Sequence, residues 1–205
     1  MSSLTGVLLA SPLAAGLLLM LLALLAVWFF WYRGGAAPLT AGEVSNFLEA
    51  TVRHGLDADD PELLVALRRL LADDDGREFV MVNLIRYRER ALYPAGSPYG
   101  DSAVAADRRY ARALFPYLLR HGNIPIFIAR RRGDFIEPAG ATPWQVVAMI
   151  RYRSKRDFVR TFSAVMDKNV MLHKWAAISV THVFPVQPLF SLISLRLTGL
   201  LLRRE

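Results

Sequence analysis

Asn83 is the one polar side chain in the apolar run Phe79-Val80-Met81-Val82-Asn83-Leu84-Ile85. A buried amide must find hydrogen bonds. Asn83 therefore either orients a ligand or satisfies itself on neighbouring backbone or water. Histidine is the side chain that titrates near neutral pH, and there are four: His54, His121, His173 and His182. No pair of His or of acids stands at metal-ligand spacing, so no metal site is expected. His54 and His121 each precede a glycine at the end of a helical stretch, where capping and the helix dipole account for them. His182 lies in a strand and reads as structural, and His173 as a surface or helix-end residue. Tyr87, Tyr110, Trp144 and Tyr152 are candidates to line a pocket and stack on a planar ligand; the competing role is core and dimer interface. Arg86, Arg88, Arg151 and Arg153 continue two strands and are expected to concentrate positive charge at one end. There they would hold an anionic substrate or lipid headgroup, or else pair with Asp157 or Glu89.

Several chemistries are excluded. The chain has no cysteine, which removes disulfides, thiolate nucleophiles, zinc ribbons and iron–sulfur ligation. It has no phosphate-cradling glycine loop, no Gly-x-Ser-x-Gly elbow and no His-Glu-x-x-His. Asp73-Asp74-Asp75 reads as a solvated turn. The strand Trp144-Gln145-Val146-Val147-Ala148-Met149-Ile150 lacks the basic-Gly-aromatic pattern of an RNA-binding sheet, so no nucleic-acid partner is expected.

The elements that must position these residues announce themselves by a repeat. Val82-Asn83-Leu84-Ile85-Arg86-Tyr87-Arg88 recurs 65 residues later as Val147-Ala148-Met149-Ile150-Arg151-Tyr152-Arg153. Each copy reads as a strand followed by a polar stretch and a helix, which suggests two equivalent halves. Strands are expected over 79–87, 124–131, 144–152 and 177–186. Helices are expected over 103–120, capped by Ser102 and kinked by Pro116, and over 155–165, capped by Ser154, with a further helical turn or two to Trp175. The order is β-α-β-β-α-β, an α+β domain over residues 78–187 with the repeat on its two central strands. Alternation puts Val80, Val82, Leu84, Val147 and Met149 on one face, expected toward the helices. Met81, Asn83, Ile85, Tyr87, Val146, Ala148, Ile150 and Tyr152 share the other. The mismatch between the copies is Asn83 against Ala148.

Residues 34–77 form a linker and an acidic helical prefix. Thr40-Ala41-Gly42-Glu43 fits a capping box opening a helix to about His54. Asp60-Pro61-Glu62 opens a second, with Asp as N-cap, which ends at 73–76. The formal charge is +7, unevenly spread: −6 over residues 34–78 and +12 over residues 79–205.

No acidic or basic side chain occurs from Met1 to Tyr32, and Pro12 to Tyr32 is almost wholly apolar. Crossing a bilayer takes about 20 such residues. Residues 1–33 are therefore expected to be an uncleaved transmembrane anchor, with no basic n-region or small-residue cleavage site of a signal peptide. Trp28, Trp31, Tyr32 and Arg33 would sit at the interface. Arg33 after the span favours a cytoplasmic C-terminal domain on a bacterial inner membrane. The tail 188–205, with Arg196, Arg203 and Arg204, fits a basic amphipathic helix on anionic lipid or one docked on protein.

Residues 79–186 resemble the dimeric α+β barrel (ferredoxin-like) superfamily, and within it a bacterial uncharacterised family related to antibiotic-biosynthesis-type monooxygenases. The likeness is carried by Val82-Asn83-Leu84-Ile85-Arg86-Tyr87, His121-Gly122-Asn123-Ile124-Pro125-Ile126-Phe127, Tyr152-Arg153-Ser154-Lys155-Arg156-Asp157-Phe158, His173-Lys174-Trp175-Ala176-Ala177 and Thr181-His182-Val183-Phe184-Pro185-Val186. It implies two protomers packed sheet to sheet, each with a pocket between sheet and helices. In the haem-degrading members a strand-one Asn orients the ligand and an axial His sits near the place of His173; their strand-three Trp is replaced here by Tyr152.

Two functions are expected from these readings. The first is a non-catalytic module without cofactor, either an accessory subunit of a membrane complex or a binder of a hydrophobic small molecule. The partners would be membrane lipid and a second copy or other membrane subunits. The alternative is a cofactor-independent or haem-dependent monooxygenase on a membrane-soluble aromatic or quinone-like compound, with Asn83, Tyr152 and His173 as its site.

Overall fold

A computed structural model describes residues 12–34, 37–55, 62–166 and 170–188. The tail arginines Arg196, Arg203 and Arg204, and the cap pair Asp60-Pro61, lie outside the described residues. The chain divides into two compact units, Met1–Gly34 and Gly35–Glu205.

In the first unit helix α1 (Pro12–Arg33) is long and apolar enough to span a membrane. At its C-terminal end Trp28 stacks on Tyr32 with ring centroids 5.2 Å apart. The Arg33 guanidinium lies over the Phe29 ring at 5.9 Å.

The second unit is a mixed α+β fold. Its elements are α2 (Ala41–Arg53), α3 (Leu63–Ala72), β1 (Phe79–Tyr87), α4 (Ala103–Arg120), β2 (Ile124–Arg130), β3 (Val146–Tyr152), α5 (Lys155–Met166), α6 (Val170–Ala177) and β4 (Ile178–Val186). The four strands form one antiparallel sheet in the order β2-β3-β1-β4. The two copies of the repeat are thus its central pair. Register slips between Pro125 and Phe127, where proline has no N–H for the ladder.

The helix starts follow from side-chain oxygens placed to take the first free N–H groups. Thr40 and Glu43 form the reciprocal capping box of α2. Ser102 accepts from the Ala105 N–H at the start of α4. Ser154 accepts from the Asp157 N–H at the start of α5. Helix α3 begins after Glu62, which makes no side-chain cap. The helix α4 runs on through Pro116.

The acidic prefix is part of the core. Phe47, Leu48, Leu67 and Leu71 from α2 and α3 join Phe79, Met81, Leu114, Tyr152 and Phe158 in one buried cluster. Polar ties fasten it further. Arg156 on α5 pairs with Glu43 and donates to the carbonyls of Ala37 and Pro38. The Leu39 N–H donates to Asp74 at 2.7 Å, so part of the acidic run serves this junction.

Two expectations about the sheet are corrected. The helices cover the face of Met81, Ile85 and Tyr152, not that of Val80, Val82 and Leu84. Both faces are apolar, so alternation separates them without choosing between them. The choice falls to the aromatics: Phe79 stacks on Tyr152 at 5.3 Å, and Phe158 of α5 meets the Tyr152 ring at 5.2 Å. The four strand arginines also do not gather at one end. Antiparallel pairing sets Ile85 opposite Val146 and Val80 opposite Arg151, which sends Arg86 and Arg151 to opposite ends. Arg151 is buried and its Nε donates to buried Glu78 at 2.7 Å. Removing one partner of such a buried pair costs about 3–5 kcal/mol, because the other charge is stranded.

The turn between α4 and β2 is held by a buried polar network. Asn123, fully buried, donates to the Asp157 carbonyl and to Thr161 Oγ1, and accepts from the Arg153 N–H. Arg153 Nε in turn pairs with the Asp157 carboxylate at 2.9 Å. Every polar member faces a partner, as burial requires.

Candidate functional site

Between the helices and the sheet lies a cavity of about 1270 Å³. Its floor is the helix-side face of the sheet. Met81, Asn83, Ile85 and Tyr87 of β1 lie beside Val146, Ala148, Ile150 and Tyr152 of β3, with Thr181, Val183 and Pro185 of β4 beyond. One wall is a stripe of α4: Val104, Asp107, Arg108, Ala111, Leu114, Phe115, Leu118 and Leu119. These positions recur three and four apart and so share one helical face. Residues of β2, among them Ile128 and Arg130, also line it, as do Met171, Lys174 and Trp175 of α6 and residues of α2, α3 and α5.

Asn83 sits on this floor. Its Nδ2 donates to the backbone carbonyls of Met81 and Ala148, each at 3.2 Å. Its Oδ1 accepts from no described residue. The reading that Asn83 satisfies itself on neighbouring backbone holds for its nitrogen, and its oxygen is left as an acceptor on the lining of the cavity.

The tyrosines supply the opposite polarity. Tyr152 and Tyr110 line the same cavity, and burial holds both phenols well above the ordinary range. Neighbouring charge adds to burial in each case: Tyr110 raises Tyr152 further, and Asp107 raises Tyr110. Both are neutral hydroxyls, able to donate. Tyr87 lines the cavity near the C-terminal end of β1, its hydroxyl donating to Asp107 at 2.7 Å; burial, then that bond, pushes its phenol up as well. The Trp175 Nε1–H is buried without a hydrogen-bond partner among the described residues.

Two predicted site residues stand apart from this cavity. His173, within α6, is among those that do not line it. Its Nδ1 is 2.9 Å from the Tyr93 hydroxyl, and its ring meets the Tyr99 ring edge-on at 4.8 Å. Burial, and then the Arg109 charge, push its pKa down. It fastens the loop 88–102 to the helices. Trp144, just before β3, also lies outside the lining and meets the His182 ring at 6.3 Å. His182 itself is exposed. His54 Nδ1 lies 2.7 Å from the Ala50 carbonyl at the end of α2. His121 follows α4, and burial lowers its pKa. No group of three or more possible metal ligands occurs among the described residues.

Sequence reasoning did not find Trp175, Arg108, Arg130 or the prefix residues as lining. The α4 positions were visible only as helical periodicity, and the prefix was read as lying outside the domain.

No known family model matches this chain, and no curated protein does. Among the similar solved structures are two crystal structures. One is of a methylated RPA0582 protein, with 25% identity and a TM-score of 0.55, covering 61% of this chain and 90% of that one. The other is of the RPA0582 protein of unknown function from Rhodopseudomonas palustris, with 24% identity and a TM-score of 0.55, covering 62% and 93%. The likeness carries the α+β fold and no activity.

Proposed function

We propose that this chain is a membrane-anchored, non-catalytic module whose α+β unit binds a hydrophobic small molecule between its sheet and its helices. The observation that carries the reading is the cavity: about 1270 Å³ of largely apolar space with an unengaged amide oxygen and neutral phenols inside. Ligand pockets are apolar concavities with a few placed polar groups, and this one fits that description at the large end.

The strand order β2-β3-β1-β4, with β1 and β3 central, supports a ferredoxin-like domain of the dimeric α+β barrel type. Helix α1 supports an anchor in a bacterial inner membrane, and Arg33 at its end supports a cytoplasmic domain. On the helix-free face Phe127 and Phe184 remain exposed. That supports packing against a second copy or another membrane subunit.

The oxygenase reading asks Asn83, Tyr152 and His173 to act on one ligand. Asn83 and Tyr152 share the cavity; His173 is spent on Tyr93 and Tyr99. The binder reading is preferred for that reason.

The test is to purify the full chain from membranes in mild detergent, extract bound small molecules, and identify them by mass spectrometry. Expected is an apolar compound recovered in stoichiometric amount and lost on filling the cavity with Ala148→Phe. Recovery of nothing from the wild type, together with no thermal stabilisation by any apolar compound, would overturn the proposal.

A further inference from the structure

The charged groups of the cavity lining are unevenly placed. Arg108, Arg130, Lys174, Asp107 and Glu62 all line it, with His182 as a further titratable group. Glu62 lies beside α3, among Leu63, Ala66 and Leu70. Lys174 lies over the Trp175 ring at 4.8 Å. The other three gather at Tyr87. Asp107 takes the Tyr87 hydroxyl, and the charges of Arg130 and Arg108 both act on the same phenol. Neither Arg108 nor Arg130 makes an ion pair or a side-chain hydrogen bond with a described residue, and both are exposed at the cavity edge.

From Tyr87 the cavity runs inward along β1 past Ile85 and Asn83 to Met81. The six residue steps from Tyr87 to Met81 span ~20 Å of strand. Beyond Met81 it is walled mainly by Phe47, Leu67, Phe158 and Phe162, with Thr51 and Glu62 the polar groups of the α2 and α3 side. The space is therefore graded: two exposed guanidiniums near one engaged carboxylate at the Tyr87 end, and mainly hydrocarbon-like walls at the other, where Glu62 is the one charged group among the described residues of the lining.

We infer that the ligand is a single-chain amphiphile with an anionic head, a carboxylate or phosphate held by Arg108 and Arg130 and an alkyl chain laid along β1. The inference rests on the proposed binding function and adds the class of ligand. A guanidinium presents a planar fork of donors that suits either head. A compact neutral ring system would leave those charges unused and the long apolar arm unfilled. Asp107 does not cancel the pair, because its carboxylate is turned to Tyr87 and the local balance remains one positive charge.

The experiment uses the full chain in zwitterionic nanodiscs, with empty nanodiscs as the partition control. Trp175 lines the cavity, so the part of the quenching by a brominated dodecanoate that is lost in Trp175→Phe reports occupancy, the remainder belonging to Trp28, Trp31 and Trp144. Competition then ranks dodecanoate, dodecyl phosphate and neutral dodecanol. Both anionic compounds should displace the probe about tenfold more tightly than the alcohol, the scale of a charge-assisted hydrogen bond at a solvated rim. The margin should shrink as salt is raised. Lengthening the chain should tighten binding about three- to fourfold per methylene until the cavity is full.

The double variant Arg108→Gln, Arg130→Gln should bring the acid to the level of the alcohol and leave the alcohol and the melting curve unchanged. Equal affinity of acid and alcohol in the wild type, or a preference that survives the double variant, would overturn the head-group inference and leave the apolar cavity reading standing. If neither compound competes and the probe does not quench, both fall together.

Discussion

Asn83 and Ala148 face each other across the central strand pair, and the Asn83 amide donates to the Ala148 carbonyl at 3.2 Å. The same two residues are the equivalent positions of the repeated motif. The approximate two-fold relation between the copies therefore passes through this pair. Symmetric residues there would confront each other directly. One copy carries a side chain that reaches across, and the other carries only a methyl group, which leaves room above the sheet for the Asn83 oxygen.

Asn83→Ala makes the two copies identical at that point. It removes two hydrogen bonds to backbone carbonyls from a half-buried site, a loss of about 1 kcal/mol. The fold should survive, with a modest fall in the urea midpoint and an unchanged m-value. A ligand that donates a hydrogen bond to Oδ1 should lose about tenfold in affinity, whereas one without a donor should bind as before. Equilibrium unfolding and competition binding on the same preparation separate the two effects.

Local signals in the chain were sufficient for the elements. Thr40 with Glu43, and Ser102, mark helix starts that the structure has, and Phe79 to Tyr87 is the strand that its run of apolar residues implies. Questions of pairing and packing were not legible. The repeat did not say that its copies run antiparallel, so the ends of Arg86 and Arg151 were misplaced. The helix-side face was misassigned because valine and leucine on one face compete with methionine and isoleucine on the other. Tyr93 and His173 lie 80 residues apart, and no local pattern could join them. For the site, Asn83, Tyr87, Tyr110 and Tyr152 were found because a polar or aromatic residue on a strand or amphipathic helix is conspicuous. Arg108 and Arg130 were not, in a chain so rich in arginine.

A side chain at Gly122 would strain the backbone and displace the Arg153 side chain. The Gly122 φ is +68°, and a Cβ there would meet the Arg153 side chain at 2.6 Å. Gly122→Ala should cost more than about 1 kcal/mol from the backbone alone, with a further loss as Arg153 is pushed from Asp157. Adding Arg153→Ala removes the clash but not the positive φ. Thermal melts of the single and double variants should therefore show partial rescue, after allowance for Arg153→Ala alone.

The clamp between the prefix and α5 should be sensitive to acid. The hydrogen bond from Arg156, followed by those from Thr40, brings the Glu43 carboxyl from 4.5 to about 2. A carboxyl depressed in the folded state contributes stability above its unfolded value and loses it as pH falls toward the folded one. Between pH 4.5 and 2 the wild type should lose stability more steeply than Glu43→Gln, which lacks the titrating group. Above pH 5 the two curves should run parallel. Chemical denaturation across that range is the measurement; equal slopes below pH 4.5 would show that Arg156 holds nothing there.

At the alkaline side the cavity itself should titrate late. Tyr87, Tyr110 and Tyr152 are three of the seven tyrosines, and burial raises all three. Their unfolded phenols ionise near pH 10. A neutral form favoured by the fold contributes stability below that value and loses it as pH rises above it. Near-ultraviolet titration of the native chain should show these three phenolates only as the fold gives way, and Tyr152→Phe should remove one late proton without shifting the early ones. A bound anionic amphiphile should delay Tyr87 further, because a negative head group near it disfavours another negative charge. The same titration thus reads two things: whether the phenols remain neutral donors at physiological pH, and whether occupancy of the cavity is felt by the residues that line it.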